Sequence, residues 1–391
     1  TYFCVMEFER KIEGKLKKTA QMFRAVAVMG VRQSGKTTLC RSFFSGYQYY
    51  NFESIGLYQL AKSDPTAFLT KDNKGVIYDE LQRLPELFNY LQEILDNTSE
   101  KGKYVISGSS NFLLNEKITQ SLAGRIGYIN MYPLSYDEIP NFKNFTVWEH
   151  IFNGGFAEVW KDTSVDPVLF YQSYIQSVVE KDIRQLVNIR DISLFQNFIR
   201  LIASRVGQEF NALKWANELD IDSKTLKSWV SYFEVAGVVY LLPPYYANFG
   251  KRITKKPKLY LVDTGIICSL LDITTVNQLE NHPLKGVIFE NFIVSQCVKF
   301  NSYRLKPYKL FYWRSQAGVE IDLLIEKGLN LFPIEIKSGQ TFQENWFRNL
   351  NLFKSYSKET SPLTIVYGGE NFSFSNKNKL VNTFSLAELF D

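Results

Sequence analysis

Short apolar runs closed by glycine or polar residues recur through the first third of the chain. Ala25-Val26-Ala27-Val28-Met29 is apolar throughout and β-capable, and Tyr47-Gln48-Tyr49-Tyr50-Asn51-Phe52-Glu53 is a β-prone run ending in polar groups. Gly75-Val76-Ile77-Tyr78 leads into Asp79-Glu80-Leu81-Gln82, Tyr104-Val105-Ile106 leads into Ser107-Gly108-Ser109-Ser110, and Tyr128-Ile129-Asn130-Met131 follows the small-residue turn Ser121-Leu122-Ala123-Gly124-Arg125. Helical patterns alternate with these strands. Residues 7 to 24 mix charges with spaced apolar positions (Phe8, Ile12, Leu16), which predicts an amphipathic packing helix, and Thr38 to Phe44 can continue as a helix. Alternating β and α predicts a parallel sheet with ligands at the carboxyl ends of its strands.

The period then changes. Residues 166 to 206 carry Leu169, Tyr174, Ile175, Val178 and Val179 at helical spacing, which predicts a helical lid and connector; Arg184, Arg190 and Arg205 on it are each available as an arginine acting in trans or as a sensor 2 arginine, with a solvated helix face as the alternative for each. From Asn211, the runs Ala212 to Leu219 and Lys224 to Phe233 flank a short turn, with Ser223 as the expected N-cap. The strand Val238-Val239-Tyr240-Leu241-Leu242 follows, so the segment reads as a winged helix-turn-helix. Lys251, Arg252, Lys255, Lys256 and Lys258 cluster where a wing would lie. Lys224 and Lys227 with that wing would suit contacts to a DNA backbone, although packing helices and soluble lysine loops look the same in sequence.

Near the end, Phe289-Glu290-Asn291-Phe292-Ile293 opens a helical run, and two alternating strands, Val319 to Ile325 and Pro333-Ile334-Glu335-Ile336-Lys337, carry Asp322 and an acid-x-lysine element. Strand side chains alternate faces, so Glu335 and Lys337 point to the same side. That arrangement suits a metal nuclease of the PD-(D/E)xK class: Asp322 and Glu335 on Mg2+, Lys337 on the attacking water, Glu290 assisting. A folded remnant, or a plain Glu335–Lys337 salt bridge, has the same pattern.

Composition narrows the field. The chain has 391 residues, enough for two or three domains, and 45% hydrophobic with 22% charged residues reads as globular. A formal charge of +5 is too mild to argue for nucleic acid by itself. Four cysteines (Cys4, Cys40, Cys268, Cys297) match no zinc spacing, and His150 and His282 cannot make a histidine metal site alone. No apolar run approaches the roughly 18 to 20 residues of a membrane span, and the first residues lack the plan of a signal peptide, so a cytoplasmic protein with no membrane partner is expected.

The first strand and helix flank Gly30-Val31-Arg32-Gln33-Ser34-Gly35-Lys36-Thr37, which has the P-loop spacing G-x-x-x-x-G-K-[ST]. Glycines let backbone N–H groups wrap phosphate oxygens, Lys36 reaches the terminal phosphates, and Thr37 can ligate Mg2+; Thr38 starts the helix whose N-terminus faces the anion. Asp79-Glu80 after an apolar strand is the Walker B pattern, the first carboxylate on Mg2+ and the second on water. Ser107 and Ser109 are both candidates for a γ-phosphate sensor, with a strand that merely ends in a Ser/Gly turn as the alternative. Arg125 is a candidate charge stabiliser, within the subunit or across an interface of a homo-oligomer, with a surface arginine as the alternative. Glu53 can face the nucleotide or solvent.

These motifs, with Gly154-Gly155-Phe156-Ala157-Glu158 and Lys256-Pro257-Lys258-Leu259-Tyr260-Leu261-Val262-Asp263-Thr264-Gly265, resemble a large group of prokaryotic ATPases in which an AAA-type ATP-binding domain precedes a C-terminal domain of unknown function. Members often have proline where this chain has Ala157. The resemblance implies three parts: an AAA-type P-loop NTPase domain at 1–150, a helical connector and winged helix-turn-helix at 151–275, and an α/β nuclease-like domain at 276–391. ATP and Mg2+ are the expected cofactors; DNA is a candidate partner on the winged-helix and acid-x-lysine readings alone, since the group's substrates are largely unknown. The alternative expectation is a nucleotide-gated switch whose C-terminal domain only docks a partner.

Overall fold

Strand β1 (Ala25–Gly30) is buried at every position, which is why its sequence is apolar without alternation. In the computed structural model, which describes residues 8–72, 74–109, 122–162, 164–177, 191–246, 256–357 and 362–390, β1 lies inside a sheet ordered β2-β3-β4-β1-β5. The other strands are β2 (Gln48–Asn51), β3 (Val76–Asp79), β4 (Tyr104–Ser109) and β5 (Ile126–Met131), and every pairing is parallel. Helices α1 (Glu13–Met22), α2 (Lys36–Phe43), α3 (Ile55–Ser63), α4 (Pro65–Thr70) and α5 (Leu87–Asn97) supply the crossovers and cover.

Period-two alternation sorts the sheet into two cores. Val26, Val28, Ile77, Val105 and Ile129 pack with Ile12, Leu16, Leu39 and Cys40. Ala25, Ala27, Met29, Val76, Tyr78, Tyr104 and Ile106 pack with Phe68, Leu69, Leu87, Phe88, Leu91 and Leu95. The strands therefore end together along one carboxyl edge, where the polar residues of the sequence motifs emerge.

By compactness the chain forms two units: one of residues 1–134 with 235–237 and 302–305, the other of the remainder. The middle and C-terminal parts expected from the sequence fall together in the second unit. Its main sheet is ordered β12-β13-β11-β10-β9-β8, from β8 (Lys309–Arg314), β9 (Glu320–Lys327), β10 (Asn330–Lys337), β11 (Thr364–Tyr367), β12 (Phe372–Ser373) and β13 (Lys379–Asn382). The β8-β9-β10 meander is antiparallel, and β10-β11-β13 run parallel. The helix Lys285–Tyr303 is buried almost all round, so its polar residues must find partners inside. Gln296 accepts from the Tyr136 N–H at 3.0 Å, and Asn291 bonds both the N–H and the C=O of Leu261 at 2.8 Å.

The expected helix, turn and helix are present as Ala212–Glu218 and Ser223–Val235, followed by the antiparallel pair β6 (Val239–Leu242) and β7 (Lys258–Leu261). The cap of the second helix is Asp222, whose carboxylate accepts from Lys224 N at 2.7 Å and Thr225 N at 3.2 Å; Ser223, the expected cap, is already helical. Aspartate one residue earlier reaches the free N–H groups better than the serine. Lys251, Arg252, Lys255, Val178, Val179, Arg184 and Arg190 lie outside the described residues, as do Ser110 and Ser121. Among the described residues no helix is long and apolar enough to cross a membrane.

Asn291→Leu should remove both Leu261 contacts while keeping side-chain size, leaving two buried backbone groups unpaired at a cost of about 1–3 kcal/mol each. A clear drop in the thermal unfolding midpoint is the expected outcome; an unchanged midpoint would refute this account.

Candidate functional site

Gly30 lies so close to β5 that a Cβ would stand 2.0 Å from the Met131 carbonyl oxygen, so only glycine fits at the loop's entry. Gln33 (φ 61°) and Gly35 (φ 88°) take left-handed conformations, and Gly35 caps α2. The turn leaves Lys36, Thr37 and Thr38 in the first turn of the helix, its N-terminus opening on the carboxyl edge. Lys36 Nζ donates to the Val31 carbonyl at 2.7 Å. Burial pulls its ammonium down to about 8, with the Glu80 and Asp79 carboxylates acting in the opposite direction.

Asp79, at the end of β3, is buried and accepts three hydroxyls: Thr37 Oγ1 at 2.9 Å and Tyr49 at 2.7 Å on one oxygen, and Ser107 Oγ on the other. The registers Asn51↔Asp79 and Asp79↔Ser107 bring those strands level. Thr37 and Asp79 therefore present a hydroxyl and a carboxylate oxygen at one point, a donor pair of the hard oxygen type that Mg2+ takes. Glu80 follows at φ 57°, outside the strand; burial, then the Asp79 charge, raises its pKa. Its carboxylate accepts from Gln82 Nε2 at 2.6 Å, and the same nitrogen lies 3.4 Å from Ser109 Oγ. The structure thus brings Lys36, Thr37, Asp79, Glu80, Ser107 and Ser109 to one edge.

Arg125 is elsewhere. Its carbonyl accepts from Ala25 N at the start of β1, so it stands at the amino edge, roughly 16 Å along the strand from Gly30 at about 3.3 Å per residue. Its guanidinium pairs with Asp96 at 2.5 and 2.9 Å. This corrects the expectation that it serves the phosphates of its own subunit: a strand that runs toward the site begins far from it. Glu53 pairs with Arg83 at 2.9 Å on the surface, and Arg205 pairs with Glu218 at 2.8 Å.

Three further residues at this edge have no role that a motif of the sequence marks. Arg10, almost fully buried, donates to the Ser34 carbonyl and the Tyr132 carbonyl, both at 2.8 Å, and so braces the loop against the end of β5. Tyr49 is signalled only by alternation along β2. Gln82 belongs to the Walker B stretch, but its amide gains meaning only beside Ser109.

The second unit holds a separate cluster. Lys258, buried on β7, is 3.1 Å from Glu290 and also pairs with Glu320; Tyr260 donates to Glu290 at 2.6 Å. Glu335 accepts from Lys337 at 2.7 Å, and Asp322 accepts from Ile336 N at 2.8 Å across the β9-β10 hairpin. Burial, then the Glu290 and Glu335 charges, holds Asp322 well above its ordinary pKa. Burial opposes the Lys258 ammonium, but Tyr260 and the carboxylates of Glu290, Asp322 and Glu320 outweigh it. Glu335 Oε2 is buried with no hydrogen-bond partner, an atom that fits a cation. Among the described residues, however, no three carboxylate, histidine or cysteine groups stand ready to hold one metal ion. Lys258, which the sequence reading gave to a DNA-binding wing, is instead a buried counter-charge: four carboxylates in one place require cations from the chain.

The motifs Gly154-Gly155 and Asp263-Thr264-Gly265 meet. Asp263, buried, accepts from Gly155 N at 2.7 Å, Gly265 N at 3.0 Å and Tyr171 at 2.8 Å. A Cβ at Gly154 or Gly265 would strike Tyr171 at 2.0 or 2.1 Å.

Because Lys36 is held at about 8 rather than 10.5, burial of its charge costs stability below pH 8, and that cost is relieved as pH rises toward 10.5. Lys36→Met should therefore raise the nucleotide-free thermal midpoint more at pH 7 than at pH 9. Equal shifts at both pH values would contradict the lowered pKa.

Residues 22–140 match the family model described as an AAA domain, while residues 144–277 and 285–386 match two domains of unknown function, DUF8612 and DUF4143. An uncharacterised protein of Mycobacterium tuberculosis is 28% identical over 340 residues, covering 86% of this chain and 76% of the relative. One from Methanocaldococcus jannaschii is 25% identical over 269 residues, 60% of each chain. Of solved structures, a Walker-type ATPase of Pyrococcus abyssi aligns over 68% of this chain and 96% of its own, at 14% identity and a TM-score of 0.43. Residues 22–140, with their strand, glycine-rich loop and helix, have the fold of an AAA-type P-loop ATPase domain.

Proposed function

We propose that the first unit binds ATP with Mg2+ and hydrolyses it, and that the turnover drives or gates the second unit. The observation that carries this reading is the convergence of Lys36, Thr37, Asp79, Glu80 and Ser107 at one carboxyl edge, joined through the Asp79 carboxylate. The loop from Gly30 to Thr38 cradles the phosphates, and Lys36 exchanges the Val31 carbonyl for phosphate oxygens. Thr37 and Asp79 hold Mg2+, which neutralises charge on the β- and γ-phosphates when bound. Glu80, its pKa raised by burial and then by the Asp79 charge, takes a proton from the attacking water as the γ-phosphorus bond to the bridging oxygen breaks. Ser107 or Ser109 senses the γ-phosphate. Arg125, half-buried at the opposite edge and paired with Asp96, is left with a role across a homo-oligomer interface or with none beyond that ion pair.

A second reading concerns the acid cluster. The buried, unpartnered Glu335 Oε2 beside Asp322, Glu290 and Lys337 favours a cation-dependent, PD-(D/E)xK-like site acting on DNA, with the helix pair 212–235 and β6-β7 as a winged helix bearing Lys224 and Lys227. The alternative is a nucleotide-gated switch in which the same domain docks a partner without cleaving it.

Lys36→Ala should abolish binding of a fluorescent ATP analogue, while Glu80→Gln should bind it normally and lose turnover by about 100-fold or more in a phosphate-release assay. Parental hydrolysis by Glu80→Gln would remove Glu80 as the base. For the second unit, labelled DNA incubated with Mg2+ or Mn2+, with and without ATP, should be cleaved by the parent and spared by Asp322→Ala. Binding without cleavage would indicate a remnant, and neither would favour the switch.

A further inference from the structure

We propose that Gln82 is a positioning residue of the ATP site: its side-chain amide holds the Glu80 carboxylate and links it to the Ser109 hydroxyl, so that the water-activating group and the γ-phosphate-sensing strand are set together. The inference rests on the ATPase reading above and adds to it the part that sets Glu80.

The geometry is specific. Glu80 leaves β3 in a left-handed conformation, φ 57°, which turns the chain into the short helix Leu81–Arg83 and brings Gln82 back over its carboxylate. One amide nitrogen serves two acceptors, Glu80 Oε2 at 2.6 Å and Ser109 Oγ at 3.4 Å. The amide cannot be turned over, because its oxygen would then face the carboxylate oxygen. Bonds from a neutral donor to an ionised acceptor are among the stronger ones, so the Glu80 contact is the firm half of the link and the longer Ser109 contact the adjustable half.

The fold makes room for this amide at a cost. Gly108 lies inside β4, where glycine weakens a strand, and a Cβ there would stand 2.6 Å from Gln82 Oε1. Gln82 Oε1 is buried without a hydrogen-bond partner, a costly position for an amide oxygen. An apolar side chain of the same length would fill the slot without that cost. A glutamine held in a slot that penalises its oxygen is explained by its nitrogen, whose two N–H groups span Glu80 and Ser109. In Ser109 a hydroxyl meets the amide at the end of the strand that also carries Ser107, so that strand and Glu80 are joined through one side chain.

Steady-state ATP hydrolysis by the full chain tests this, with Gln82→Met, which keeps length and loses the donors, and Gln82→Glu, which keeps shape and replaces the donors by acceptors. Both should lower kcat about 10- to 100-fold while KM for ATP and the affinity for a fluorescent ATP analogue stay within about twofold. In the double variant Gln82→Met with Ser109→Ala, the loss should be smaller than the product of the two single losses, as for residues that act through one another. Parental kcat in either single variant that folds, or losses that multiply independently, would overturn the proposal. A parent protein that binds but never hydrolyses ATP would overturn the ATPase reading and this inference with it, a result separable from the first because it appears without any substitution.

Discussion

The Asp79 carboxylate is the interaction on which the first unit's chemistry depends. It accepts hydroxyls from α2, β2 and β4, three elements that are distant in sequence and become neighbours only in the parallel sheet. The arrangement requires the ladder registers on both sides of β3 to be correct. A slip of one residue would turn Asp79 into the opposite core and leave Thr37, Tyr49 and Ser107 without their common acceptor. Register, hydrogen bonding and the candidate site are thus one constraint.

Most of this was legible in the sequence because it is local. The P-loop, the Walker B acids and the serine-bearing strand each combine a strand signature with its functional residues in under ten positions, and a parallel sheet sends all strand ends to one edge. What was not legible is what depends on side chains meeting across elements. Arg10 under the loop, Tyr49 on Asp79 and Gln82 between Glu80 and Ser109 carry no spacing that marks them. Arg125 shows the reverse: a turn rich in small residues before a strand looks like a site, yet the start of a strand in this sheet is its far edge. Lys258 follows the basic run by adjacency alone, and β7 buries it.

The two units handle buried carboxylates in different ways. Asp79 takes its hydrogen bonds from three neutral hydroxyls. In the second unit Glu290, Glu320, Asp322 and Glu335 share the ammonium groups of Lys258 and Lys337, Arg314 also pairs with Glu320, and Glu335 Oε2 goes unpaired. Charge compensation by the chain itself fixes β7, the helix Lys285–Tyr303 and the β9-β10 hairpin to one another, which is a structural role whatever chemistry the cluster performs.

The contact between Asp263 and Gly155 has a consequence for how the second unit is made. The partners are 108 positions apart, so the Gly155 N–H meets this acceptor only once Asp263 has been made. Closing so long a loop costs more chain entropy than forming the helices between, so this contact is expected to form after them. Residues 147–174 would then spend synthesis as partly formed helices whose apolar faces wait for the strand and helix around Asp263, a window in which that surface is open to chaperones or to a second nascent chain.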